Sequence, residues 1–227
     1  MPRLIAFGDS MTWGSDLQDC REIPPTSSNH TWPALVAQSL GFDYICLALP
    51  GIGNDSITRY FLNYIGQIHS DDIVIVNWTW IDRWEYYDEN IPPFNTCLHS
   101  VDQLQWTQVL PNDRGENRDY WRNYHSERGD KLRSLKNIML VMQQLDTVGC
   151  RHFHTCLDSL IKDHTWHCPV YIENLQNIVE PRLQWFEGVG FLDWSRRREF
   201  TISKTWHPLE DAHYAAYELM RNQLGLL

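Results

Sequence analysis

Residues 73–76 read Ile-Val-Ile-Val, four β-branched side chains in a row between Asp72 and Asn77. Such side chains are stiff at χ1 and suit extended backbone. A strand that packs on one core alternates apolar and polar positions, because successive side chains point to opposite faces. A strand without that alternation needs apolar cover on both faces, as in a parallel sheet held between helix layers. Asp72 to Trp78 is therefore predicted as a fully buried strand of an α/β protein. Hydrophobic residues form 43% of the 227-residue chain, enough for such a core, and the length suits one domain.

The neighbouring segments fit the same architecture. Arg3 to Phe7 is a short apolar run that stops at Gly8-Asp9-Ser10, which predicts a buried strand, a tight turn and Ser10 at the strand's C-terminal end. A helix is predicted from near Asn29 through Trp32-Pro33-Ala34-Leu35-Val36 to Leu40, with Gly41 as its stop. Tyr44 to Leu49 reads as the second strand. Pro50-Gly51-Ile52-Gly53 is a turn, and Asn54-Asp55-Ser56 are capping residues for a helix with apolar Ile57, Tyr60, Phe61, Tyr64 and Ile65 at helical spacing.

After the Asp72–Trp78 strand, residues 81–130 lose periodicity and become polar, aromatic and proline-bearing, the character of an inserted lid or binding loop. Leu132, Leu135, Ile138, Met139, Met142 and Leu145 mark an amphipathic helix stopped by Gly149. Arg151 to Leu157 reads as a fourth strand. Val170 to Phe191 carries Pro181 in the middle of an otherwise helical pattern, so its type stays open. Asp211 to Leu224 is a closing helix. There is no internal repeat.

Composition excludes several classes of function. A formal charge of −10 opposes a phosphate-backbone partner, and the short Arg196-Arg197-Arg198 run reads as a solvated loop. No window approaches eighteen consecutive apolar residues, so a soluble protein without membrane association is expected. The apolar run Leu4 to Phe7 is too short for a signal-peptide core, so no export signal is expected. Six cysteines at irregular spacing fit thiols of a reducing compartment, hence cytoplasmic synthesis. His152, His154 and Cys156 alternate along one predicted strand, with His164, His167 and Cys168 close behind. The set lacks paired Cys-x-x-Cys spacing, and no metal or other cofactor is expected.

Two short blocks carry candidate chemistry. The first is Gly8-Asp9-Ser10, with Thr12 and Gly14 following; the second is His207-Pro208, with His213 six residues on and a helix behind it. A serine hydroxyl becomes a useful nucleophile when an imidazole can take its proton. In type, order and spacing these blocks resemble those of the SGNH (GDSL-type) hydrolase superfamily. The resemblance implies a flavodoxin-like, three-layer α/β/α sandwich with a mainly parallel sheet. It also implies Ser10 as nucleophile and His207 as general base.

The family's oxyanion donors map onto the N–H groups of Ser10 and Gly53, with Gly51 as the competing glycine. A third donor, an asparagine after strand three, has no direct match. Asn54 and Thr79 rank above Asn77 for that role, because Trp78-Thr79 followed by Arg83-x-Glu85 resembles a divergent, virus-associated subgroup of the family. The family's aspartate, three residues before the histidine, is replaced by Lys204. Asp193, Glu210 and Asp211 are the nearest carboxylates in sequence, although Glu210 and Asp211 also suit the first turn of the closing helix.

The implied activity is a cofactor-independent serine esterase or deacetylase. The family's range and the aromatic-rich stretch from Trp78 to Trp121 point to O-acetylated carbohydrate as substrate class, with a lipid acyl ester as the alternative. The competing expectation is a non-catalytic, SGNH-like structural or carbohydrate-binding component, for example of a virion or other oligomeric assembly.

Overall fold

The Ile-Val-Ile-Val strand is the middle member of a five-stranded parallel sheet. The computed structural model describes residues 2–22, 25–89, 106–110, 116–165 and 168–226. In chain order the elements begin with β1 (Arg3–Phe7), α1 (Ser10–Trp13), β2 (Arg21–Glu22), β3 (Pro25–Thr26), α2 (Trp32–Leu40), β4 (Asp43–Cys46) and α3 (Asn54–Tyr64). Next come β5 (Ile73–Trp78), β6 (Trp84–Tyr87), β7 (Trp106–Val109), α4 (Glu116–Asn123), α5 (Glu127–Val148) and β8 (Arg151–Cys156). The chain closes with α6 (Val170–Val179), β9 (Leu183–Gln184), α7 (Phe191–Arg197) and α8 (Glu210–Gln223).

The central sheet has the order β4-β1-β5-β8-β9, and every pairing is parallel. This is the doubly wound, flavodoxin-like order, in which ligands bind beyond the C-terminal strand ends where the winding reverses. That place lies between β1 and β5, paired in register Ile5↔Val74 and Phe7↔Val76.

Both faces of the two strands are covered. Ile5, Phe7, Val74, Val76 and Trp78 pack against α3, α5 and α6, whereas Leu4, Ala6, Ile73 and Ile75 pack against α2, α7 and α8. Each buried aliphatic side chain contributes roughly 1.5–3 kcal/mol. The absence of alternation in the sequence is thus the trace of a sandwich.

Several predicted boundaries move. The first long helix starts at Trp32 rather than Asn29, whose N–H instead donates to Asp19 Oδ2 at 2.7 Å. Val170–Phe191 is not one element: α6 ends at Val179, Pro181 sits in a 3-10 turn, and β9 comes after it. Arg196 and Arg197 belong to α7, so the basic run is a helix end rather than a loop. Within residues 81–130, β6 and β7 form an antiparallel hairpin and α4 comes next; 90–105 and 111–115 lie outside the described residues. Among the described residues no helix is long and apolar enough to cross a membrane.

Candidate active site

β1 delivers the chain to Asp9, which caps α1 by accepting the Met11 N–H on Oδ1 at 3.0 Å. Ser10 is the first residue of α1, where a backbone N–H has no intrahelical acceptor, and none exists among the described residues. Gly14 ends α1 in the left-handed region at φ 83, and a Cβ there would lie 2.5 Å from the Ser28 Cβ. The tight exit leads at once to Asp16, also left-handed at φ 70. Aspartate tolerates that conformation better than most residues.

The other half of the site is the turn before α8. The Ser203 N–H donates to the His207 carbonyl at 2.8 Å, and the His207 N–H donates to Ser203 Oγ at 3.1 Å, which closes a five-residue loop. The Asp16 carboxylate organises this loop. Its Oδ2 accepts from Ser203 Oγ at 2.6 Å, from the Thr205 hydroxyl, and from His207 Nδ1 at 2.8 Å. On the opposite side of the ring, His207 Nε2 lies 2.9 Å from Ser10 Oγ. The carboxylate can only accept at Nδ1, so Nδ1 carries the proton and Nε2 is left to accept from the serine.

Burial works to raise the Asp16 carboxyl, but hydrogen bonds from Ser203, Thr205 and His207 outweigh it and hold the group below its ordinary range. Asp16 is therefore an anion throughout the neutral range. His213, the second histidine of the closing block, is buried. Its Nδ1 accepts the Trp32 N–H at 3.2 Å, which ties α8 to α2. Desolvation pushes His213 down to about 3, so it is neutral and structural.

The expected oxyanion donors are occupied. The Gly53 N–H donates to Glu85 Oε1 at 2.7 Å. Asn54 Nδ2 donates to Ser134 Oγ at 3.1 Å and to the Thr79 carbonyl at 3.3 Å, while its Oδ1 accepts the Thr79 N–H at 2.9 Å. The Thr79 hydroxyl donates to Asp9 Oδ2 at 2.8 Å. Gly51, the competing glycine, lies two residues before Gly53 in the β4–α3 connection, left-handed at φ 83. Asn77 is bound between Thr12 Oγ1, at 2.7 Å, and the Thr155 hydroxyl. Of the expected donors, the N–H groups of Ser10 and of the competing Gly51 have no acceptor among the described residues.

No protein-family model and no curated protein matches the sequence. Solved structures do. TesA superposes with a TM-score of 0.54 at 15% identity over 99% of both chains. The psychrotrophic esterase EstA from Pseudoalteromonas sp. superposes at 0.51, with 11% identity, over 99% of this chain and 97% of its own. The acetyl xylan esterase Est2A from Butyrivibrio proteoclasticus gives 0.51 at 12% identity over 100% of this chain, which spans 65% of Est2A. The chain has an SGNH/GDSL hydrolase-type fold.

Within this SGNH-type fold the expected carboxylates do not reach the histidine. Asp193 pairs with Arg196 at 3.6 Å, Glu210 Oε1 accepts the Gln18 N–H at 2.8 Å, and Asp211 Oδ2 accepts the Thr201 N–H at 3.0 Å. Asp16 takes the place instead. It lies 191 positions from His207 but only six after Ser10, on the loop that the left-handed Gly14 turns back toward the serine. The usable signal was its position as the first acid after the Gly8-Asp9-Ser10 block.

The histidine-rich strand is a self-contained network. Trp78 Nε1 donates to His154 Nδ1 at 3.2 Å, His154 Nε2 meets His152 Nδ1 at 2.9 Å, and His152 Nε2 meets Asp146 at 3.0 Å. His164 pairs with Glu180 at 2.7 Å, and His167 lies outside the described residues. Among the described residues no three metal-ligating side chains converge. The aromatic insertion is largely packed on itself: Trp84 stacks on Tyr120 at 3.9 Å, and Trp106 lies under the Arg59 guanidinium at 3.7 Å.

Proposed function

We propose that this protein is a serine ester hydrolase in which Ser10 is the nucleophile, His207 the general base and Asp16 the triad acid. The observation that carries the proposal is the unbroken line Asp16 Oδ2–His207 Nδ1, 2.8 Å, and His207 Nε2–Ser10 Oγ, 2.9 Å. Ser10 Oγ attacks the ester carbonyl as its proton passes to His207 Nε2, and the imidazolium is stabilised by Asp16. Collapse of the tetrahedral intermediate breaks the bond to the alcohol, which takes the proton from Nε2. Water then repeats the cycle on the acyl-serine and returns free carboxylic acid and Ser10. The Ser10 N–H is one donor to the developing oxyanion.

O-acetylated carbohydrate is the substrate class we favour. Est2A, of similar fold, is an acetyl xylan esterase, and in this chain Trp206, 63% exposed beside His207, offers an aromatic face to a sugar ring. The second reading, a non-catalytic binding component of a virion or other assembly, is favoured by the engaged Gly53 N–H.

The test uses a fluorophosphonate probe and p-nitrophenyl acetate on the wild type, Ser10→Ala and His207→Ala. Labelling and turnover by the wild type that disappear in both variants support the hydrolase. A folded wild type that neither labels nor turns over leaves the binding reading.

A further inference from the structure

Gly53 should present an N–H to the oxyanion, yet a carboxylate already holds it. Glu85 makes this contact from the start of β6, and its Oε2 accepts from Ser56 Oγ at 2.8 Å and from Arg59 Nη2 at 2.6 Å. Two residues earlier, just before β6, stands Arg83, whose Cβ and carbonyl also lie against Gly53. Its Nη1 donates to the Ile52 carbonyl at 2.9 Å and to Asp9 Oδ2 at 3.3 Å, and its guanidinium carbon lies 4.7 Å from the centre of the Trp80 ring. Arg83 thus bridges the Asp9-Ser10 turn and the Ile52-Gly53 turn, the two backbone segments between which the family's oxyanion hole is expected. Gly53 packs closely under this segment, since a Cβ on it would lie 2.8 Å from the Arg83 carbonyl.

We infer that Arg83 is a catalytic residue, the cationic donor that replaces the engaged Gly53 N–H and the missing block-three asparagine in the oxyanion hole. The inference rests on the ester-hydrolase reading. Nε and Nη2 of Arg83 make no hydrogen bond among the described residues, and its side chain is 15% exposed, so donors remain for a substrate oxygen entering from solvent. A guanidinium presents several donors in a fixed fork, so two anchors on Nη1 can set the direction of the rest. In a partly dehydrated site, a preorganised donor acts on charge that develops only in the transition state. The same geometry gives the Arg83-x-Glu85 pair one explanation: Glu85 occupies the old donor and Arg83 supplies the new one.

The test compares wild type, Arg83→Ala and Arg83→Lys on p-nitrophenyl acetate, with thermal melting as a check on folding. Loss of one oxyanion donor lowers kcat by about 100- to 1,000-fold. The expected result is such a loss in Arg83→Ala with KM within about threefold of wild type, and partial restoration by added ethylguanidinium. Arg83→Lys, which keeps charge and stem but not the fork, is expected to fall between the two and serves as the comparison if Arg83→Ala melts early. An Arg83→Ala kcat within threefold of wild type overturns the inference while the hydrolase reading stands. So does a loss that comes with a raised KM and no response to ethylguanidinium, because Arg83 would then only position Asp9. A wild type without turnover or Ser10 labelling removes the hydrolase reading and this inference together.

Discussion

Two corners at the C-terminal end of the same sheet, one after β1 and the other after β4, are organised in opposite ways. At the Ser10 corner, three side chains from the two ends of the chain line up with each polar atom aimed at the next, and the serine end of the line stays open. At the Gly53 corner, the preferred donors are spent inside the protein: the Gly53 N–H on Glu85, the Asn54 amide on Ser134 and the Thr79 carbonyl, and the Thr79 hydroxyl on Asp9. A nucleophile needs only two loops to cross at the right distance. An oxyanion hole needs donors without partners, and an inserted segment rich in acceptors can consume them. Residues 81–130 make part of the difference, since the Glu85 that takes the Gly53 N–H comes from that insertion.

The comparison can be broken first at the open corner. Asp16→Asn should keep the loop geometry but lose the imidazole tautomer, lowering kcat by about 10⁴-fold, whereas Asp193→Asn should leave turnover within about threefold of wild type. Stopped assays on both variants check this, and a fully active Asp16→Asn would dismantle the proposed triad.

The engaged corner is probed by stability. Glu85→Ala removes the carboxylate partner of Arg59 and the acceptor of the Gly53 N–H and should destabilise the fold by about 2–3 kcal/mol in urea titration, below the full cost of a deeply buried pair because Arg59 is partly exposed and keeps Ser56 Oγ. Asn54→Ala removes the acceptor of the buried Thr79 N–H and should cost about 1–3 kcal/mol. If either variant unfolds at the wild-type urea midpoint, the donors were not committed as described.

The smallest effect is pH-dependent. Burial holds His213 at about 3 and pushes His154 well below the ordinary value of 6.5. On unfolding both regain that value, so the unfolded chain binds protons first as pH falls. Stability should be full above about pH 6.5 and decline below it, each histidine contributing up to about 1.4 kcal/mol per pH unit, with the His213 part levelling off near pH 3. Asp16 acts at lower pH: its depressed carboxyl holds the His207 loop above the ordinary carboxylate range and releases it as pH falls through its own value. Urea midpoints at pH 7, 6 and 5 measure the histidine slope, and equal midpoints would refute it.

Much of the fold was legible because its determinants are local. The unbroken apolar run at residues 73–76 announced a strand covered on both faces, Gly41 and Gly149 marked helix stops, and the Gly8-Asp9-Ser10 block fell at a strand end where a sharp turn is needed. The proximity of Ser10 to His207 was legible because both blocks have recognisable neighbours. Pro181 showed a limit, since a proline marks the end of a helix without specifying the next element; here that is a 3-10 turn leading into β9.

The sequence by itself determined the layers of this protein and the strand at whose end the serine stands, because periodicity, turns and caps act over a few residues; the histidine that reaches it, 197 positions away, came from the resemblance of its block to a known family. Only the tertiary structure decided which carboxylate meets that histidine and which donors face the serine. Asp16 and His207 are 191 positions apart, and Glu85 reaches Gly53 across 32. Such contacts depend on where loops cross once the sheet has assembled, and spacing along the chain carries no record of that crossing.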